Sequence, residues 1–124
     1  MKKNSLLLFI VFLCNISFAQ QNFKKRSNEE KARFYTQEMK DSLALTEVQE
    51  PLVFEINLQV SKSIDSLYKN INEPAERKKK FREIFKTRDE ALKNVLELKQ
   101  FLRYEDIEME KWEKKKREAK KDKE

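Results

Sequence analysis

The chain of 124 residues contains no glycine and no histidine, one cysteine, one tryptophan and two prolines. Without glycine, tight hairpin turns that demand positive φ have no low-cost occupant, which disfavours a protein of many short strands and favours an all-α one. Without histidine the commonest general base and imidazole ligand are missing, and without glycine no loop can wrap a phosphate closely. The single thiol, Cys14, has no partner within the chain for a disulfide. Acid pairs such as Glu29/Glu30 and Asp89/Glu90 read as solvated helix charge, and Glu105, Asp106, Glu108 and Glu110 scatter round a helix instead of converging on a cation. The expectation is a protein that is not an enzyme and carries no cofactor or metal.

Long hydrophobic runs are also scarce. The one candidate, Leu6 to Cys14, follows Lys2 and Lys3 and precedes Ser17-Phe18-Ala19, the order of a secretory signal peptide cleaved after Ala19. It is well short of the ~20 residues of a membrane-spanning helix, so no stable membrane insertion is expected. Leu13 stands where a lipidation site before Cys14 wants a small residue, so no lipid anchor is expected either. Loss of Lys2 and Lys3 would lower the net charge from +6 to +4. The remaining charges are interleaved, the pattern of solvated helix faces. Basic runs at Lys24 to Arg26, Arg77 to Lys80 and Lys114 to Arg117 would raise nucleic-acid binding in a cytosolic protein, but export removes that partner. Any membrane affinity of the tail is expected to be electrostatic and salt-sensitive.

Residues 20–27 are polar and read as a mobile N-terminus. Ser27-Asn28-Glu29-Glu30 is a capping box, and Ala32, Tyr35, Met39 and Leu43 then recur at helical spacing, which predicts a helix over roughly 28–43. A second capping box, Thr46 to Gln49, opens a longer helix. Pro51 there should kink the helix or delay its start. Val53, Ile56, Val60, Ile64 and Leu67 form one stripe; Phe54 and Leu58 form an apolar surplus on a second face. The alternation from Phe54 to Val60 also fits a half-buried strand, but no other segment offers it a mate. Asn72 reads as the N-cap of the next helix, with Pro74 early in its first turn. That helix carries Phe81, Ile84, Phe85, Leu92 and Val95 on one side, interrupted by Arg88, and Lys78, Lys79 and Arg82 on the other. The two long helices are expected to form a long antiparallel hairpin with shorter flanking helices, giving a helical domain over 28–113 and a charged helical or disordered tail over 114–124. Beyond residue 97 the apolar stripe slips out of phase, so the chain either turns near residues 97–99 or runs on and buries its second stripe against another chain.

The pattern Leu45-Thr46-x-x-Gln49 resembles the motif of the exported Spy and CpxP family, in which it occurs twice. A degenerate second copy is present as Leu96-Glu97-x-x-Gln100, with Glu97 in place of threonine. The resemblance implies a periplasmic, soluble protein whose helical hairpins pair into a thin curved homodimer. It implies either an ATP-independent chaperone that holds unfolded envelope proteins on a basic, partly apolar surface, or a stress-response adaptor that binds an envelope sensor. A purely structural helical partner is the remaining alternative. Phe54, Leu58, Lys78, Lys79 and Arg82 are the candidate client-binding residues. Thr46→Ala is expected to cost ~1 kcal/mol through the lost cap, with Gln49→Ala costing less.

Overall fold

A computed structural model of the protein describes residues 25–122 and is all-helical over them. Four helices follow in order: α1 (Asn28–Leu43), α2 (Gln49–Asn70), α3 (Pro74–Val95) and α4 (Leu98–Lys121). The leader expected at residues 1–19 lies outside the described residues, as does most of the N-terminal segment after it. Among the described residues no helix is long and apolar enough to cross a membrane.

Each helix start has a local cause. Ser27 Oγ accepts from Glu30 N–H at 3.1 Å while Glu30 Oε2 accepts from Ser27 N–H at 2.7 Å, which closes the head of α1. The regular span of α2 opens at Gln49, three residues after the capping Thr46, with Pro51 as its third residue. Glu50 N–H already donates to Thr46 O at 3.0 Å, so Pro51 is the fifth residue after the cap and its missing N–H costs the ladder bond to Glu47 O; the regular helix starts late for that reason and then runs unbroken to Asn70. At the head of α3 the N-cap is Glu73, not Asn72: its carboxylate accepts from Glu76 N–H at 2.7 Å, because Pro74 occupies the first helical position and puts residue 73 at the cap. Arg77 closes the connection by donating twice to Ile71 O, at 3.1 and 2.7 Å, and it lies over the Tyr68 ring.

The chain turns after Val95. Leu96 and Glu97 adopt extended backbone (ψ 148° and 156°) and α4 restarts at Leu98, which resolves the slip in the apolar stripe. α4 then continues unbroken to Lys121.

α2 packs against both α1 and α3, and this explains its apolar surplus. One side meets α1, where Asn57 donates to Thr36 Oγ1 at 3.0 Å, Lys40 pairs with Glu50 at 2.8 Å and Arg33 lies over the Phe54 ring. A hydrogen bond from Asn28, and then the charge of Lys31, hold the Asp65 carboxyl below its ordinary range on that side. The other side carries Ile56, Val60 and Leu67 towards Ile84 and Ala91 of α3, with an open trough of about 880 Å³ between the helices.

The core is small and lies at the joint end: Leu43, Leu45, Val53, Leu92, Leu96, Phe101 and Tyr104 are buried together. Phe81 and Phe85 do not pack into the α2 side as the stripe implied. Phe81 is 38% exposed and stacks on Phe85 at 4.6 Å, while Phe85 is half-buried in a groove shared with Phe101 of α4. The reason is that α4 folds back on α3 and gives α3 a second apolar side.

Candidate functional site: the paired helix joints

The two motif copies, 51 residues apart, meet in space. At the first joint Thr46 N–H donates to Gln49 Oε1 at 3.0 Å and Gln49 N–H donates to Thr46 Oγ1 at 3.2 Å, a complete capping box. At the second, Glu97 N–H donates to Gln100 Oε1 at 2.9 Å. The two glutamine side chains then bond each other: Gln49 Nε2 donates to Gln100 Oε1 at 2.7 Å, and Gln100 Nε2 donates to Gln49 Oε1 at 2.9 Å.

Each amide also reaches the end of a helix in the other joint. Gln49 Nε2 donates to Val95 O, the last residue of α3, at 3.2 Å, and Gln100 Nε2 donates to Leu43 O, the last residue of α1, at 3.2 Å. Carbonyls at a helix C-terminus lack intrahelical partners, so these bonds satisfy groups that burial would otherwise penalise. The arrangement has local two-fold character: each glutamine caps its own helix, pairs with the other amide and closes the helix before the other joint. Only a side chain with a donor and an acceptor on one amide can do all three, which is why glutamine, and not glutamate, is needed at both positions. Leu45 and Leu96 occupy matching places beneath the pair and are buried in one cluster. Glu97 in place of threonine does not prevent the second joint, because the part of residue 97 that Gln100 holds is its backbone N–H.

One strained residue belongs to the same site. Ala44, the C-cap of α1, has φ 54° and ψ 54°, and its carbonyl accepts from Gln100 Nε2 at 3.4 Å. In a chain without glycine an alanine takes the left-handed position, at a cost of roughly 1–2 kcal/mol.

A second cluster, around Arg88, fastens α4 to α3. Arg88 Nη2 lies 3.2 Å from both Asp89 Oδ1 and Glu108 Oε2, and its guanidinium covers the rings of Phe85 and Tyr104. Tyr104 O–H donates to Asp89 Oδ1 at 2.7 Å; burial first, and that carboxylate after it, push the phenol above its ordinary pKa. In the sequence Arg88 is only a break in a stripe, and Tyr104 has no signal of its own. The break was the usable clue, since a cation within an apolar row implies a partner from another helix.

Compared with known protein families, curated proteins and solved structures, the chain matches none. The family resemblance therefore stands on the motifs.

Of the candidate client-binding residues, Lys78, Lys79 and Arg82 are exposed on α3, and Phe54 and Leu58 are half-buried on α2. They are not gathered in one place. Phe54 lines a groove with Arg33 and Thr36 of α1, whereas Arg82 lines another with Phe85 and Phe101.

Proposed function

We propose that the chain is an exported, Spy/CpxP-like binding protein that holds unfolded envelope proteins without ATP and without catalysing a reaction. The observation that carries this reading is the open trough between α2 and α3, with Ile56, Val60, Leu67, Ile71, Ile84 and Ala91 along it and, at its edges, Lys62, Lys80 and Arg88 beside Glu55 and Glu83. An apolar trough whose edges carry both signs of charge, with Lys80 held by Glu83 at 3.0 Å, suits extended, partly apolar chains: the exposed cations of the chain speed encounter and apolar contact slows release. The antiparallel hairpin of α2 and α3 is the holding element in this reading, and a homodimer would extend its surface.

The decisive experiment is suppression of aggregation of an unrelated protein unfolding in the absence of ATP, followed by light scattering. Suppression near equimolar ratio is the expected result, lost when Val60 and Ile84 are replaced by serine. Absence of suppression together with one envelope sensor co-purifying with the protein would assign the adaptor role instead. Sedimentation at several concentrations tests the homodimer.

A further inference from the structure

We propose that the outer face of α4 is an interfacial anchor that binds the surface of an anionic lipid membrane, with Trp112 inserted at the headgroup level. The inference is independent of the client-holding role. Leu98, Leu102, Met109 and Trp112 follow one another at steps of four, seven and three, which places them in one row along a helix. They are 71%, 52%, 61% and 61% exposed, so this row is not the side with which α4 meets the body. Phe101 and Tyr104 do that and are buried. From Leu98 to Trp112 the row runs for about 21 Å at ~1.5 Å per residue. Every residue of α4 from Met109 to its end is exposed, and its last ion pair to the body is Lys111 with Glu38 at 3.8 Å.

The apolar row leads directly into a block of positive charge. Residues 111–121 carry seven Lys and Arg against two Glu, a net charge of +5. Lys116 lies over the Trp112 ring at 4.9 Å, so the one tryptophan of the chain already has a cation beside its aromatic face. The row of Leu, Met and Trp is crossed by Glu105 and followed by lysines at its C-terminal end; lying in a bilayer interface, it would put the apolar side chains into the acyl boundary, leave Glu105 at the headgroup level and set the lysines against lipid phosphates. The same charge argues against a second copy as the occupant. Parallel pairing would set two such blocks side by side, and antiparallel pairing would set each against a stretch in which Lys99 and Arg103 stand beside Glu105, Asp106 and Glu108, leaving most of the block's charge unanswered. Phosphates of a nucleic acid would engage the lysines but would leave the apolar row in water.

Because the chain has a single tryptophan, its fluorescence reports this face alone. The test uses the protein from Gln20 onward, which retains all described residues, with vesicles of pure phosphatidylcholine and vesicles containing about one-third phosphatidylglycerol. Expected are a blue shift of emission and quenching by brominated acyl chains with the anionic vesicles only, both reversed by high salt. Replacing Lys114, Lys115 and Lys116 with glutamine should weaken binding roughly a hundredfold, at about 1 kcal/mol per cation near an anionic surface. Leu102→Ser with Met109→Ser should weaken it while leaving its salt dependence in place. An equal shift with neutral vesicles, the same shift with polyglutamate, or a shift that follows protein concentration without lipid would each overturn the proposal, the last two in favour of an acidic protein partner or a second copy.

Discussion

Gln49 and Gln100 each do more than cap a helix, and their substitution should reflect it. Thr46→Ala removes one hydroxyl acceptor at a partly exposed joint and should cost ~1 kcal/mol. Gln49→Leu leaves the Gln100 amide, Val95 O and Thr46 N–H without their partner, so about 2–3 kcal/mol is expected, more than Thr46→Ala and contrary to the order the motif alone implied. Gln100→Leu should cost a similar amount, and the double variant less than the sum, because either single change already breaks the shared amide pair. Urea unfolding of the four variants checks the ranking; additive losses would mean that the amides act separately. Ala44→Gly should stabilise by about 1 kcal/mol, since glycine adopts φ 54° without penalty, and the same titrations read it. Tyr104 adds a pH signature. Its folded pKa is raised above the unfolded value near 10, so its contribution is fully present below about pH 10 and is lost as the pH rises beyond it and the unfolded phenol ionises. Tyr104→Phe, which cannot ionise, should therefore differ from the parent by a constant amount from pH 7 to 9 and by less at pH 11. A gap that stays constant to pH 11 would place the hydroxyl in water.

At the scale of elements, the signals that sequence carries best are local ones. The box at Ser27–Glu30 and the spacing through Leu43 describe α1 to the residue, and the slip of the apolar phase near residue 97 marks the break between α3 and α4. Periodicity does not say which neighbour a stripe will meet. On α2 the residues facing α1 and those facing α3 are both apolar enough to be a core, and only the path of α1 shows that Phe54 belongs with Arg33. On α3 the sequence reads the stripe with Phe81 and Phe85 as the face towards α2, because the fold-back of α4 turns on one joint, and that joint depends on an amide pair between residues far apart in the chain. The pairing was not legible, although both glutamines were. Phe85→Ala shows the energetic difference. A fully buried phenylalanine in the α2–α3 seam would cost ~3–5 kcal/mol, whereas a half-buried one stacked on Phe81 and covered by Arg88 should cost about 1–2 kcal/mol. A thermal melt of that variant distinguishes the two placements.

For the whole molecule, the buried cluster is at one end and the helices reach away from it in two ways. α2 and α3 leave a trough between them, and α4 extends beyond its last ion pair into solvent. Stability should be concentrated where Leu45, Val53, Leu92, Leu96 and Phe101 meet, and the outer third of α4 should open independently of it. Ending the chain after Lys111 is therefore expected to shift the melting temperature by less than about 4 °C, because the lost residues bury no apolar surface in the body and exposed changes seldom exceed about 0.5 kcal/mol. Helical signal in circular dichroism should fall in proportion to the residues removed, and amide exchange in α2 should keep its protection. A much larger drop in melting temperature would mean that the tail packs on the protein in solution. In that event neither the free face of α4 nor its row of Leu98, Leu102, Met109 and Trp112 would be open to an outside surface.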